Sequence, residues 1–224
     1  MPAPRSRRER PAKPALTREG IVDAAVRLME QEGLERVTMR RLATELDTGA
    51  ASLYVYVANT AELHAAVLDR LLAEVDLRAA GARGWRERLD AVVGSYTDVL
   101  QARPALARSA MVTRPNGPHY LDLVETLLAL LEEGDVPAAQ AAWGVDLLLH
   151  NATAMAAEHA AGPDDRQAAR EWDRLGVLLT HASPEQHPRV HAQAQHLLSG
   201  TPDERRRWRL QTLVNGILAT PSDG

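Results

Sequence analysis

Residues 38–56, TMRRLATELDTGAASLYVY, read as two short helices joined by a tight turn. In the first helix four apolar residues recur at the spacing of one helix face: Met39, Leu42, Ala43 and Leu46. Thr38 precedes them as an N-cap whose hydroxyl can accept a backbone N–H. The pattern and its length predict a helix-turn-helix.

The turn is placed at residues 47–49, where the apolar period breaks. Gly49 tolerates positive φ, and Asp47 does so better than most side chains. The second helix is predicted from Ala50 to Val57, with Leu53 as its one large buried residue.

The second helix permits two interpretations. In a DNA-reading unit its small side chains would bring backbone close to base edges, and the hydroxyls of Tyr54 and Tyr56 would face phosphate. In the other interpretation the two helices are an amphipathic pair inside an ordinary helical bundle. A helix-turn-helix pattern of this length does not separate the two.

The surrounding sequence carries a family resemblance. From Thr17 to Val75 the chain resembles the N-terminal DNA-binding domain of TetR-type transcriptional regulators. The residues that carry the resemblance are Ala24-Ala25, Gly33-Leu34, Val37-Thr38, Leu42-Ala43, Ser52-Leu53-Tyr54, Tyr56 and Asn59 to Leu63.

This resemblance implies an all-α fold in which a three-helix DNA-binding domain precedes a C-terminal helical bundle for ligand binding and dimerisation. A fourth helix, opening at Asn59 with Glu62 three residues later as a capping box, connects the two domains. The implied DNA-binding residues are Thr38, Arg40, Thr48, Gly49, Ala50, Ala51, Ser52, Tyr54, Tyr56 and Thr60.

Two positions depart from the family pattern. Asp47 stands where glycine is usual, at a cost of about 1 kcal/mol for a left-handed conformation. Thr60 stands where a phosphate-contacting lysine is common, so a charge-assisted contact is lost. Because Ala50 and Ala51 replace longer side chains, base reading is expected to depend mainly on Arg40, whose guanidinium matches guanine.

The amino-acid composition restricts which other classes of protein this chain can belong to. The chain has no cysteine, which excludes disulfides and thiolate zinc sites and agrees with a cytoplasmic protein. No apolar run is long enough for a membrane span, so no membrane partner is expected. The net charge of −4 divides unevenly: residues 1–18 sum to +5, so the remainder sums to −9. A protein that meets phosphate at one end would show this division.

Three regions are predicted along the chain. Residues 1–16 contain four prolines and little to bury, so we expect a disordered basic arm, either contacting DNA or simply solvated. Residues 17–78 form the DNA-binding domain and residues 79–224 the effector-binding and dimerisation domain. The C-terminal helices are predicted at 85–100, up to 111, 120–133, 138–161, 171–180, 190–198 and from 202 onwards.

The long helix Ala138–Ala161 and the last helix are the candidates for a homodimer face. Small residues would permit close approach between helices there, or else serve packing within one subunit. They are Ala141, Ala142, Gly144, Ala152, Ala154, Ala156 and Ala157.

Effector-binding candidates are polar or aromatic residues on the C-terminal helix stripes. They are Tyr96, Met111, His119, Tyr120, Trp143, Asp146 and His150. Asp146 and His150 are four residues apart and could pair, although a structural or solvated role fits each residue as well.

No metal site or cofactor is expected beyond a small-molecule effector. His187 and His191 have helical spacing, but Pro188 lies between them at the start of a helix. Tetracycline-responsive members of the family bind a metal–drug complex through histidines, but those positions are not matched to histidines here, so that chemistry is not carried over.

The resemblance therefore implies a repressor that a small-molecule effector releases from a palindromic DNA operator. Two alternatives stay open: a non-specific DNA-binding protein, and a helical enzyme with an unrecognised active site. No catalytic motif supports the enzyme.

Overall fold

A computed structural model describes residues 15–159 and 165–222, and this part of the chain is helical without any strand. The all-α prediction is confirmed. A 3₁₀ helix spans Leu34–Arg36. The α-helices are α1 Arg18–Glu32, α2 Met39–Glu45, α3 Ala50–Leu53, α4 Thr60–Leu72, α5 Gly84–Gln101, α6 Pro104–Ala110, α7 Pro118–Glu133, α8 Ala138–His159, α9 Asp165–Thr180, α10 Pro188–Leu198 and α11 Pro202–Ala219.

The chain forms two compact units, the first ending at Leu63 and the second beginning at His64. Helix α4 contains this division. The boundary that the sequence suggested, after residue 78, remains a prediction. The expected arm at residues 1–16 lies outside the described residues except for Ala15 and Leu16.

In the first unit, α1 packs against α2, and α2 packs against α3. Helix α1 begins as predicted, because the Thr17 hydroxyl accepts the backbone N–H of Gly20 at 3.1 Å. The shared core consists of aliphatic side chains, among them Ile21, Leu28, Leu42 and Leu53, all at most 1% exposed. The unit is therefore held by the apolar stripes of its helices.

The second unit is built around α8, which packs against α5, α6, α7 and α11. Small residues on α8 serve this packing: Ala141, Ala152 and Ala156 are buried, and Gly144 lies against Ile217 of α11. These four residues therefore pack within one chain. The suggestion that they let a second subunit approach does not hold for them.

Several helix ends differ from the predicted ones. Helix α3 ends at Leu53, four residues early, and the chain continues as a turn. Helices α7 and α10 begin two residues early, at Pro118 and Pro188, because proline fits the first helical position. Helix α9 begins six residues early, at Asp165, in a polar stretch of good helix formers without an apolar stripe.

The N-terminus of α7 is capped by a carboxylate from another helix. Its own N-cap residue, Gly117, has no side chain. Instead Asp69 of α4, which is only 6% exposed, accepts the backbone N–H of Tyr120 at 2.9 Å. A Cβ on residue 117 would overlap that carboxylate. The absent side chain thus makes room for a cap that ties α7 to α4.

We expect Gly117→Ala to destabilise the protein by about 1–3 kcal/mol, because the new methyl group displaces the capping carboxylate. The measurement is the free energy of unfolding in urea. Gly176→Ala is the control, since a Cβ there meets Leu198 at an ordinary 3.9 Å. Equal stability of the two variants would contradict the capping role.

Candidate functional site

The turn between α2 and α3 has the left-handed residue that the sequence suggested. Asp47 has φ 48°, so the strain expected from replacing glycine is present. Gly49 instead has φ −80° and ψ 141°, an extended conformation open to any residue, so the turn does not use the positive φ that glycine tolerates. The backbone N–H of Thr48 donates to the carbonyl of Ala43 at 2.9 Å, which closes the turn on α2.

All ten residues predicted to bind DNA lie at the surface or are half-buried. Thr38, Arg40, Gly49, Ala51, Ser52 and Tyr54 are exposed, and Thr48, Ala50, Tyr56 and Thr60 are half-buried. Leu53, in the same segment, is fully buried. The small and hydroxyl residues of α3 therefore face outward around one buried side chain. Their contacts with DNA remain predictions.

Two adjacent arginines on α2 differ in their surroundings. Arg41 donates to Glu45 at 3.0 Å and also pairs with Glu32 of α1. Its hydrogen bond lowers the pKa of Glu32, and the two acids raise the pKa of Arg41. Arg40 is exposed and has no ion pair within the described residues. Arg40 is therefore the guanidinium that remains available to a ligand.

The start of α4 is capped differently from the predicted capping box. The Asn59 side chain accepts the backbone N–H of Glu62 at 2.9 Å, as expected. The Glu62 carboxylate, however, accepts the N–H of Ala58 at 2.7 Å, one residue before the cap. It also pairs with Arg18 of α1 at 3.6 Å. These bonds fix the segment that carries Thr60.

One exposed residue of this surface was not among the sequence predictions. Val55, in the turn after α3, is 81% exposed. Its spacing of four residues from Ala51 was a usable signal, because such residues share a helix face.

Among the effector candidates, Tyr96 is buried and hydrogen bonded. Its hydroxyl lies 2.7 Å from the hydroxyl of Thr153, which itself donates to the Leu149 carbonyl at 2.8 Å. Tyr96 is therefore the donor in this pair. Burial, together with the nearby Tyr120, raises the pKa of Tyr96 to about 12, against the opposing effect of Thr153.

The other candidates do not gather in a cavity. Trp143, Asp146 and His150 lie on one exposed face of α8, and Met111 is 41% exposed. Asp146 pairs with Arg114 at 3.0 Å, and the described residues show no pair between Asp146 and His150. His119 and Tyr120 are half-buried in the first turn of α7. Among the seven, Tyr96 and Tyr120 are near enough for Tyr120 to influence the pKa of Tyr96.

Two cavities border the second unit's helices, and none of the seven candidates lines either. The first, between α5, α8 and α11, measures about 20 Å³, which suffices for a single water molecule. The second is an open groove of about 270 Å³ between α5 and α11. Its walls include Arg86, Asp90 and Arg207. None of these three residues was predicted from the sequence, because charged side chains on a helix are typical of an ordinary solvent-exposed surface.

The described residues hold neither a metal-binding cluster nor a membrane-spanning helix. They contain no group of three or more histidine, cysteine or acidic side chains placed to hold a metal ion. They also contain no helix long and apolar enough to cross a membrane.

An exposed helix-turn-helix followed by a helical second unit is compatible with a helix-turn-helix transcription regulator, and the family models identify the chain as one. The family model described as "Bacterial regulatory proteins, tetR family" matches residues 21–67. The model "Tetracyclin repressor-like, C-terminal domain" matches residues 79–220. The chain belongs to the TetR family of transcriptional regulators.

Solved structures give the same family. The chain is 56% identical to SCO7704 of Streptomyces coelicolor, described as a candidate transcription regulator, with a TM-score of 0.79 over 95% of this chain and 99% of that one. It is 32% identical to ActR of the same organism in complex with actinorhodin, with a TM-score of 0.80 over 94% and 99% of the two chains.

Curated relatives match over shorter segments. The repressor DrrR1 of Streptomyces coeruleorubidus is 37% identical over 56% of this chain and 47% of its own length. The chain thus spans about half the length of that relative. The class D tetracycline repressor of Escherichia coli is 31% identical over 75% of this chain and 78% of its own.

The buried Tyr96 gives a pH-dependent prediction. Because its folded pKa is raised from 10 to about 12, its contribution to stability is complete below pH 10 and is lost as the pH rises toward 12. We expect Tyr96→Phe to be less stable than wild type by about 1 kcal/mol at pH 8, through the lost hydrogen bond. Urea unfolding at pH 8 to 11 should show this gap closing; a constant gap would contradict the assignment.

Proposed function

We propose that the protein is a homodimeric repressor that binds a two-fold symmetric DNA operator and is released from it by a small-molecule effector. The observation that carries the proposal is the exposed α2–α3 surface, which presents Arg40 and the small face of α3 around the buried Leu53. Proteins of this family act as transcriptional regulators, which supports DNA as the ligand of that surface.

The roles on this surface follow from chemistry. Arg40 has a planar fork of donors that matches the O6 and N7 acceptors of guanine in the major groove. Ala50, Ala51 and Ser52 let the backbone of α3 approach base edges. The hydroxyls of Thr38, Tyr54, Tyr56 and Thr60 donate to phosphate oxygens, which positions the protein without reading sequence.

The second subunit is proposed to pack on the exposed faces of α8 and α11, two helices that contact each other. Trp143 and Leu147 of α8 are 62% and 44% exposed, and Trp208 of α11 is 69% exposed. Large exposed apolar side chains on two adjoining helices are candidates for an interaction site. We accordingly assign Trp143, Asp146 and His150 to the subunit interface, in place of the effector role first suggested for them.

The effector is proposed to be a small organic molecule that enters the second unit. The support comes from ActR, which was solved in complex with actinorhodin and with (S)-DNPA. Tyr96 and Tyr120 are the polar groups retained from the sequence prediction as effector contacts. An effector releases DNA only through its different affinity for the DNA-binding and DNA-free conformations.

Helix α4 is the proposed route of this coupling. In the chain it follows the turn that carries Tyr56, at the end of the α2–α3 surface, and its Asp69 accepts the backbone N–H of Tyr120 at the start of α7. A ligand that displaces Tyr120 would disturb the Asp69 cap and thereby the conformation of α4. Effector binding then weakens DNA binding, and DNA binding weakens effector binding by the same coupling free energy.

The proposal is tested by selecting random duplex DNA on the purified protein and sequencing the enriched pool. A two-fold symmetric motif is the expected result, because a two-fold dimer places its reading helices in successive major grooves. Binding without enrichment would instead support non-specific DNA binding. Absence of binding, repeated after unfolding and refolding to remove any bound small molecule, would refute the proposal.

We expect Arg40→Ala to weaken binding to the selected duplex by about 1–3 kcal/mol and to relax base preference at one position per half-site. Arg41→Ala is the matched control, because Arg41 is held by two acids within the unit and is expected to change stability rather than base preference. Titrations against duplexes with single base changes measure both. A loss for Arg40→Ala that is equal on all sequences would make Arg40 a phosphate contact.

The proposed interface predicts that Leu147→Glu dissociates the dimer, because it puts a charge into the proposed apolar contact. Sedimentation velocity should then show a shift from dimer to monomer at micromolar concentration. Leu121→Glu is the control, since Leu121 is more exposed, at 65%, but lies on α7. A Leu147→Glu variant that stays dimeric would place the interface elsewhere.

A further inference from the structure

Val55 is an apolar side chain exposed on the α2–α3 surface, in the turn that follows α3. It is 81% exposed, whereas its neighbours Leu53 and Val57 are at most 1% exposed. Single exposed valines are common on proteins, so exposure alone assigns no role. The position of Val55 relative to α3 is what suggests a role.

The chain continues for one helical turn beyond the end of α3. Tyr54 has helical dihedral angles of −65° and −13°, and the backbone N–H groups of Tyr56 and Val57 both donate to the Leu53 carbonyl, at 2.9 and 3.1 Å. Residues three and four apart on such a turn share a face. Val55 therefore extends the exposed face formed by Ala51 and Ser52.

This extended face is rich in methyl groups. Ala51 and Val55, one turn apart, contribute only hydrocarbon, and Ser52 is the single hydrogen-bonding side chain of the three. Among the four bases, thymine alone presents a methyl group in the major groove, and apolar side chains are its usual partners. A hydrocarbon face on a reading helix matches thymine better than any base recognised through hydrogen bonds.

We propose that Val55, with Ala51, reads the C5-methyl group of a thymine in each operator half-site. This inference rests on the proposed function, since it takes the α2–α3 surface to face DNA. It adds a specificity-determining residue to that surface. Arg40 and Val55 would then select different bases, guanine by hydrogen bonds and thymine by contact with its methyl group.

The test removes the methyl group without changing base pairing. In the selected duplex each thymine is replaced in turn by deoxyuridine, and affinity is measured for wild type and for Val55→Ala. We expect wild type to lose about fourfold affinity at one position per half-site, the value of one buried methyl-sized group. We expect Val55→Ala to discriminate thymine from uracil less than wild type does at that position, because only the smaller alanine methyl groups then face the thymine methyl, while its base preference elsewhere is kept.

Val112→Ala is the control, because Val112 is 86% exposed but lies in the second unit, in the turn after α6. It should keep the full sensitivity to uracil. Circular dichroism confirms that both variants fold; a Val55→Ala variant that does not fold would show that Val55 has a structural role and would overturn the proposal.

Three further outcomes would also overturn it. They are a selected half-site without thymine, wild-type binding that ignores every uracil substitution, and a Val55→Ala variant as sensitive to uracil as wild type. Failure of the proposed function gives a different result: the selection then yields no symmetric motif, and the proposal for Val55 is refuted together with the proposed function. A symmetric motif with any of these three outcomes removes only the role of Val55.

Discussion

The burial of Leu53 is the interaction on which the exposed α2–α3 surface depends. Helix α3 has four residues, far fewer than a helix needs to persist alone in water, so its conformation comes from packing. Leu53 is its only buried side chain and is fully enclosed. The hydrocarbon and hydroxyl groups around it are held outward because this one residue is held inward. Arg40 is positioned in the same way, through the buried stripe of α2.

The second unit depends on a different kind of contact. Its core is aliphatic and centred on α8, but a buried carboxylate connects two of its helices. Asp69 supplies to α7 the cap that Gly117 lacks. Such a bond is directional and is lost when the helix end shifts, whereas aliphatic packing tolerates small displacements. This difference is why the Asp69 cap is the contact proposed to transmit a change in the second unit to α4.

Most of the fold could be predicted from local patterns. The caps at Thr17 and Thr38, the left-handed Asp47 and the buried Leu53 all follow from residue type and spacing. The capping of α7 by Asp69 could not be predicted, because the two residues it joins are 51 positions apart in the sequence. The sequence could likewise not predict which alanines of α8 are buried within one subunit, because alanine fits the interior of a subunit and an interface between subunits equally well. Trp143, Asp146 and His150 were predicted as effector contacts from helix spacing, which identifies a shared face without showing what that face meets; the structure places all three at the surface.

The central claim, that two copies read two half-sites, is tested most directly by titrating the selected symmetric duplex against one in which a half-site is scrambled. The account predicts two protein chains bound per intact duplex and a loss of at least about a hundredfold in affinity when one half-site is removed, since the second reading surface then makes only sequence-independent contacts. Equal affinity for the two duplexes, or one chain bound per intact duplex, would contradict it.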